Sequence, residues 1–180
     1  MAFESDWRTV VEAALGLRAT LMRRGWMLGC AESCTGGLVA AAITSIAGSS
    51  DWFERGLVTY SNRAKVELLN VPQGLLDTHG AVSREVAMAM AQGVLACAPV
   101  QAALAVTGIA GPAGGTPGKP VGLVWFGWAW QDGAGFVTEA ESVVWPGGRQ
   151  DIRLASARHA LEGLHGRIDR TAVAPRGPAD

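Results

Sequence analysis

The sequence has few of the residues that build disulfide frameworks, zinc sites and membrane segments. Its three cysteines are odd in number and lack a paired Cys-x-x-Cys spacing, and its three histidines are scattered, so neither a disulfide framework nor a zinc site is indicated. No uninterrupted apolar run reaches the ~18 residues of a membrane span. Residues 1–6 lack the basic start and apolar stretch of a signal peptide. We therefore expect a cytoplasmic protein with no metal and no membrane partner.

An excess of charge of one sign is also absent. The 15 basic and 16 acidic residues give a formal charge of −1. No basic stripe with interleaved aromatic residues is visible, so we expect no nucleic-acid partner. Of the 180 residues, 49% are hydrophobic and 17% are charged, and the mean hydropathy is +0.20. A chain of this size can bury roughly 70% of its unfolded surface in one core, which favours a single domain.

Helical and strand patterns alternate along the chain, as is typical of parallel βαβ units. Helices are predicted from a cap at Asp6 to residue 24 and over residues 37–46, 62–69, 83–98 and 148–163, and strands over 26–33, 56–61 and 102–106. Residues 121–130 and 136–145 form a predicted antiparallel hairpin. The sequence thus predicts a single-domain α/β fold with a mixed, mainly parallel sheet over residues 1–164, and a flexible polar tail over 165–180.

The tryptophans of the hairpin allow two interpretations. They could form a base-stacking platform, or they could belong to the core. We favour the core, because Phe126, Trp128 and Trp130 alternate on one strand face and Trp125 lies on the other, as expected of a strand covered on both sides. Trp145 could line the mouth of a pocket.

A first small-residue turn, residues 31–37 (AESCTGG), follows a predicted strand. Open α/β sheets bind ligands at the carboxyl ends of strands. Gly36 and Gly37 leave backbone N–H groups accessible at a helix start, where an anion such as a phosphate is stabilised. Ser33 and Thr35 could add hydroxyl donors. The same residues also suit an ordinary helix cap.

A second turn begins at Thr107 and Gly108, again after a predicted strand. Residues 108–120 contain five glycines and three prolines, so this segment is neither helix nor central strand. It is either a site loop or a flexible connection.

A possible nucleophile and base lie between the two turns. Ser50 is a good helix cap, but it could also be a nucleophile if a base took its proton, and no histidine is well placed for this role. Lys65 could serve, with Tyr60 nearby, only if burial or a cationic neighbour lowered its pKa, since at ~10.4 about one lysine in a thousand is neutral near pH 7.5. The alternatives are a solvated surface lysine at 65 and a Cys34 nucleophile at a helix start.

Six motifs in a fixed order resemble a known family. They are AESCTGG at 31–37, IAGSS at 46–50, WFERG at 52–56, VTYSN at 58–62 with Lys65 after it, HGAVS at 79–83 and TGIAGP at 107–112. Through them the chain resembles the CinA C-terminal domain family over about residues 10–164. The resemblance implies a compact three-layer α/β/α sandwich. It also implies metal-independent hydrolysis of nicotinamide mononucleotide to nicotinic acid mononucleotide and ammonia, in pyridine nucleotide recycling.

The resemblance further implies catalytic roles for three residues. The nucleophilic serine of the family falls on Ser50, its tyrosine on Tyr60 and its lysine on Lys65. In this scheme Lys65 accepts the serine proton and later protonates the departing ammonia, with Tyr60 relaying or orienting. Backbone N–H groups of one of the two turns would stabilise the oxyanion.

Substrate-binding positions implied by the resemblance fall on Ser33, Thr107 and an arginine after the last strand. We favour Arg149, with Arg153 as a competitor, because residues 145–148 (WPGG) depart from the pattern expected of the family. The helix start at residues 35–37, Thr107 and Arg149 are candidates for binding the 5′-phosphate. Which turn binds phosphate and which forms the oxyanion hole stays open.

The resemblance implies no cofactor, a small-molecule mononucleotide substrate and a homodimer. Many members of the family carry an N-terminal pyrophosphatase-like domain, for which 180 residues leave no room, so the chain resembles the stand-alone form. The alternative function is a nucleotide-binding or regulatory module that has lost catalysis.

Overall fold

The computed structural model describes residues 7–171. Its helices are α1 (Trp7–Arg24), α2 (Leu38–Thr44), α3 (Asn62–Leu69), α4 (Gln73–His79), α5 (Arg84–Cys97) and α6 (Arg149–Arg170). Its strands are β1 (Leu28–Glu32), β2 (Phe53–Val58), β3 (Ala102–Gly108), β4 (Leu123–Asp132) and β5 (Gly135–Val144). A short 3-10 helix, Ser49–Asp51, precedes β2. No helix in this part of the chain is both long and apolar enough to cross a bilayer.

The strands form one mixed sheet in the order β2-β1-β3-β4-β5. Strand β1 runs parallel to both β2 and β3, whereas β4 pairs antiparallel with β3 and with β5. The carboxyl ends of β1, β2 and β3 therefore lie at the same edge of the sheet, and the residues that follow these strands converge there. The predicted α/β fold with a mixed sheet is confirmed.

Helices cover both faces of the sheet. On one face α1, α2 and α6 enclose a core whose fully buried side chains include Leu17, Leu104 and Leu161. On the other face α5 packs directly on the sheet, with α3 and α4 beside it. The sheet is thus the middle layer of the three-layer sandwich that the resemblance implies.

The core interpretation of the hairpin tryptophans is confirmed for Trp128 and Trp130, whereas Trp125 is only partly buried. Phe126, Trp128 and Trp130 are buried on the face that α6 covers, and the indole Nε1 of Trp128 donates a 2.8 Å hydrogen bond to the backbone oxygen of Ala160. Trp145 is partly buried against the same core.

Several predicted boundaries differ from the structure, among them the ends of α6 and β2. Helix α6 continues to Arg170, six residues past the predicted domain end at 164, because Ile168 is fully buried in the core. Residues 172–180 of the predicted tail lie outside the described residues. Strand β2 ends at Val58, three residues earlier than predicted, because the Ser61 side chain accepts a hydrogen bond from the Ala64 N–H and so caps α3.

Candidate active site

A cavity of about 280 Å³ opens where the carboxyl ends of the three parallel strands meet. The segment 108–114 forms one wall of it, beginning with Gly108. The predicted site side chains that line it are Ser33, Tyr60, Lys65, Thr107 and Arg149. The structure therefore brings together residues from both predicted turns and from the segment between them.

Lys65 is a buried lysine in the first turn of α3, with 1% of its surface exposed. Its Nζ lies 2.7 Å from the backbone oxygen of Thr59, 3.1 Å from the Oγ of Ser33 and 3.4 Å from the backbone oxygen of Tyr60. Burial disfavours the ammonium form and lowers the pKa of Lys65 to about 8. The alternative of a solvated surface lysine is therefore wrong.

These contacts suit the neutral form of Lys65. A neutral amine has two N–H donors and one lone pair, whereas an ammonium group has three donors and no lone pair. The carbonyl oxygens of Thr59 and Tyr60 can accept both N–H groups, so the lone pair is left for the hydroxyl of Ser33. With a pKa of about 8, about a quarter of the amine is neutral at pH 7.5. The geometry is thus suited to proton transfer from Ser33 to Lys65.

Ser50 lies outside this cavity. It is an exposed residue of the 3-10 helix that precedes β2, whereas Tyr60 and Lys65 follow the carboxyl end of that strand. A strand of six residues spans roughly 17 Å, so Ser50 and Lys65 are at opposite ends of it. Within one chain the structure does not bring the predicted nucleophile Ser50 to the predicted base, and the serine beside Lys65 is Ser33.

The start of helix α2 is occupied by a carboxylate of the chain itself. Glu32, at the end of β1, is 1% exposed and accepts hydrogen bonds from the N–H groups of Gly37 (2.9 Å), Val39 (3.2 Å) and Ala40 (2.9 Å). Gly37 has a φ of +98°, a conformation that glycine adopts without steric cost. The predicted phosphate site at Thr35–Gly36–Gly37 is therefore already filled, and the side chain that caps α2 is Glu32.

Cys34 is next to Ser33 and lines the cavity, but its thiol is not activated. It is 6% exposed. Burial is the main cause that raises its pKa to about 11, and the carboxylate of Glu32 adds to the shift against the opposing effect of Lys65. The prediction of a thiolate at a helix start is wrong mainly because the thiol is buried, and Glu32 adds to the shift.

Tyr60 and Arg149 form the rim of the cavity. Arg149, the first residue of α6, donates to the backbone oxygen of Gly111 at 2.7 Å and to the Tyr60 hydroxyl at 3.2 Å. The tyrosine is 62% exposed. Its hydroxyl contacts Arg149, whereas only its backbone oxygen contacts Lys65. Tyr60 thus belongs to the entrance of the cavity.

Thr107 and Gly108 have structural partners of their own. The Thr107 hydroxyl donates to the backbone oxygen of Ala81 at 2.8 Å, which ties the end of β3 to the segment before α5. A Cβ on Gly108 would lie 2.7 Å from the Val124 side chain and 2.8 Å from the Leu123 oxygen. The glycine is therefore required by the close approach of β4.

Two contributors to the site escape the sequence reasoning. In the sequence Glu32 is notable only as a charged residue at the end of an apolar strand. Its role as an acceptor depends on the position of the start of α2 next to the end of β1. The backbone oxygen of Thr59 carries no sequence signal. Within residues 7–171 no cluster of three or more His, Cys, Asp or Glu side chains could hold a metal ion.

The sequence model of the CinA C-terminal domain family matches residues 11–168 of this chain. The chain belongs to the CinA C-terminal domain family. Among its relatives in this family, the protein "Nicotinamide-nucleotide amidohydrolase PncC" of Enterobacter agglomerans is 50% identical over 151 residues, covering 84% of this chain and 90% of that protein. The protein of the same name from Escherichia coli K12 is 49% identical, covering 80% and 86%.

Solved structures of the CinA family have the same fold. The competence damage-inducible protein A from Klebsiella pneumoniae superposes with a TM-score of 0.83 at 36% identity, over 89% of this chain and 98% of that chain. A competence/damage inducible protein from Agrobacterium tumefaciens gives 0.82 at 43% identity, over 90% and 96%. The match to a "CinA-like protein" of Geotalea uraniireducens, 52% identical, spans 83% of this chain and 35% of that longer protein.

Proposed function

We propose that this protein hydrolyses the carboxamide of nicotinamide mononucleotide to nicotinic acid mononucleotide and ammonia, with Ser33 as nucleophile and Lys65 as base. The observation that carries the proposal is the 3.1 Å contact between Lys65 Nζ and Ser33 Oγ in the cavity. Two relatives at about half identity over most of their length bear the name nicotinamide-nucleotide amidohydrolase. An amide hydrolase needs such an activated nucleophile, because a serine hydroxyl is a poor one until its proton is removed.

In the first half-reaction neutral Lys65 accepts the hydroxyl proton as Ser33 Oγ bonds to the carboxamide carbon. The resulting Lys65 ammonium then donates a proton to the amide nitrogen, the C–N bond breaks and ammonia leaves. In the second half-reaction Lys65 takes a proton from water, which attacks the ester, and returns it to Ser33 as the acid is released. One base therefore serves both halves of the cycle.

The nucleotide is held at the rim of the cavity in this proposal. Arg149 provides a fork of N–H donors suited to a phosphate, and it is exposed on the side from which substrate enters. The exposed ring of Tyr60 offers a face to the positively charged pyridinium of the substrate. The start of α2 is not part of the phosphate site, because Glu32 fills it.

The test is ammonia release by the purified protein from nicotinamide mononucleotide, with and without EDTA. We expect equal rates, because the proposed chemistry uses only Ser33 and Lys65. Free nicotinamide should be a much poorer substrate, since the binding energy of ribose and phosphate would be missing in the transition state. A protein that binds the nucleotide but releases no ammonia would be a binding or regulatory module instead. Activity lost on chelation and restored by a divalent metal would contradict the metal-free mechanism.

We also propose a role in pyridine nucleotide recycling and a homodimer, which rest on membership in the CinA C-terminal domain family, and a cytoplasmic location, which the sequence pattern favours. The oligomeric state can be checked by light scattering of the purified protein. A monomer at all concentrations would contradict the homodimer.

A further inference from the structure

Strand β3 continues past the point where its neighbour β1 has ended. Within residues 7–171, the last hydrogen bond between these two segments runs from the Ser33 N–H to the Val106 oxygen, at 2.9 Å. Gly108 and Ala110 follow further along β3 and its continuation, and both line the cavity, as Ser33 does. One edge of β3 therefore borders the cavity where the β1 backbone no longer covers it.

The N–H group of Ala110 lies on this uncovered edge. The backbone oxygen of Ile109 accepts from the Gly122 N–H at 2.8 Å, on the side of β4. In a planar trans peptide the C=O and N–H bonds are antiparallel, so the N–H of Ala110 faces the opposite side, where β1 has ended. Ala110 is 3% exposed, and in the described part of the chain its N–H has no acceptor. Because buried N–H groups are almost always paired, this one indicates a donor that serves a ligand.

The N–H group of Gly108 lies on the same edge. The Ile109 N–H donates to the Leu123 oxygen at 2.9 Å, and in an antiparallel ladder the residue before such a bonded residue is turned to the other side, here towards β1. A regular parallel ladder would pair the Gly108 N–H with the Ser33 oxygen. That oxygen accepts from the Gly36 N–H at 3.1 Å instead, and among residues 7–171 the Gly108 N–H has no acceptor.

The turn after Ser33 supplies no such donor. The Cys34 N–H lies against its own sulfur, and the Gly36 N–H is used by the Ser33 oxygen. Thr35 is fully buried and does not line the cavity. Arg153 holds this turn from outside the cavity, by donating to the backbone oxygens of Cys34 (3.2 Å) and Thr35 (2.8 Å). The donors for a ligand beside Ser33 are therefore on β3.

We propose that the Gly108 N–H stabilises the oxyanion formed when Ser33 attacks the carboxamide, and that the Ala110 N–H binds a ribose hydroxyl of the same substrate. The inference rests on the proposed function. As Ser33 Oγ bonds to the carboxamide carbon, the electron pair of the C=O bond moves to the oxygen, and it returns when the C–N bond breaks. A donor held in place by a strand stabilises this charge without reorganisation.

The roles of the two donors follow from their positions along the strand. Successive N–H groups on one edge of a strand are about 7 Å apart, so they contact different atoms of a ligand. The Gly108 N–H is the one next to Ser33. The Ala110 N–H is nearer to Arg149, whose Nη1 donates to the adjacent Gly111 oxygen at 2.7 Å. Carboxamide, ribose and phosphate thus follow one another from Ser33 to Arg149.

The experiment removes single N–H groups by replacing an amide with an ester. Residues 97–180 are synthesised with glycolic acid at position 108 or lactic acid at position 110, and are joined to residues 1–96 through the thiol of Cys97. We expect the Gly108 ester to lower kcat about 100- to 1,000-fold with KM unchanged. The Ala110 ester should raise KM about two- to tenfold, the worth of one neutral hydrogen bond, with kcat unchanged.

Glycolic acid at position 118 provides the matched control. Gly118 is exposed in the same loop and does not line the cavity, and its N–H has no acceptor within the described residues. This ester should behave as the all-amide protein made by the same ligation. Urea unfolding of each protein shows whether the ester has changed the stability of the fold.

A transition-state readout separates the oxyanion role from a merely structural one. The pyridine-3-carboxaldehyde analogue of the nucleotide can form a hemiacetal with a serine, whereas nicotinic acid mononucleotide cannot. The Gly108 ester should weaken inhibition by the aldehyde about as much as it lowers kcat and leave product inhibition unchanged. In the wild type, NMR should show the Gly108 amide proton moving downfield with the aldehyde only, and the Ala110 amide proton with both ligands.

The outcomes separate the two proposals. An inactive all-amide protein contradicts the proposed function. If that protein is active, an unchanged kcat for the Gly108 ester overturns the oxyanion role and leaves the function standing. An Ala110 ester with unchanged KM, or with a lowered kcat, overturns the ribose role. If either ester does not fold, its amide proton decides: the shift described above supports the role, and its absence overturns it.

Discussion

The carboxylate of Glu32 accepts a hydrogen bond from the Gly37 N–H at 2.9 Å, at the point where a helix start would otherwise attract an anionic ligand. The chain thus supplies its own anion to α2. Two consequences follow for the chemistry nearby. An anionic ligand must bind elsewhere, and Glu32 adds to the raised pKa of the neighbouring Cys34 thiol, of which burial is the main cause.

We predict that Glu32→Gln destabilises the fold by about 2 kcal/mol, because hydrogen bonds to a charged acceptor are worth more than neutral ones and an amide nitrogen would face backbone N–H groups. Urea unfolding of both proteins measures this. The control is Glu12→Gln, on the exposed face of α1, which should stay within about 0.5 kcal/mol of the wild type. Equal unfolding free energies for the two variants would show that the Glu32 carboxylate does not hold the turn.

We predict that Arg149→Ala raises KM for nicotinamide mononucleotide by about 10- to 100-fold, the loss expected for a charged hydrogen bond to phosphate. The matched substrate is nicotinamide riboside, which lacks the phosphate and should be turned over equally by both proteins. Tyr60→Phe, which removes the hydroxyl that accepts from Arg149, should have a smaller effect. If Arg149→Ala impairs both substrates alike, Arg149 does not bind the phosphate.

We predict that Ser33→Ala lowers kcat by at least about three orders of magnitude, because the nucleophile itself is lost. Ser50→Ala and Cys34→Ala should keep most of the activity, since Ser50 lies beyond the opposite end of β2 and the thiol of Cys34 is almost entirely protonated near pH 7.5. Ammonia release under saturating substrate gives the three values. If Ser50→Ala is inactive and Ser33→Ala is active, Ser50 is the nucleophile, as the family resemblance implies.

Much of the fold could be predicted because it follows from repeating patterns. The alternation of Phe126, Trp128 and Trp130 marks a strand face, and the Ser83 cap marks the start of α5, where its side chain accepts from the Val86 N–H at 3.3 Å. The true end of the domain could not be predicted, because most residues after 164 are polar and Ile168 alone does not reveal a buried face. The last turns of α6 are buried by contacts with α1, which is far away in the sequence.

Part of the candidate site could be predicted because ligand sites in open α/β sheets lie at the carboxyl ends of the strands. Ser33 and Thr107 lie at the carboxyl ends of β1 and β3, and Lys65 follows the end of β2, so the three converge. The same rule disfavours Ser50 as the nucleophile, because Ser50 precedes β2. Only the resemblance to the family implies that role for it. Arg149 and Arg153 could not be told apart, because they are four residues apart on one helix and share a face. Only the placement of α6 decides which one reaches the cavity.

The last prediction concerns Lys65, whose pKa of about 8 should set the pH dependence of the proposed reaction. The base must be neutral to accept the Ser33 proton, and burial favours the neutral form. We therefore expect kcat/KM to rise about tenfold per pH unit below pH 8 and to level off above it, well below the range of an ordinary lysine. Initial rates from pH 6 to 9.5 at subsaturating nucleotide give this profile.

Lys65→Arg provides the matched variant for this profile, because it keeps the positive charge but cannot lose its proton. It should be nearly as inactive as Lys65→Ala over the whole pH range while still binding nicotinamide mononucleotide, since Arg149 and Tyr60 remain at the rim. Binding is measured by calorimetry and turnover by ammonia release on the same preparations. Wild-type turnover in Lys65→Arg would mean that Lys65 acts only as a charge, and another group would then have to take the proton of Ser33.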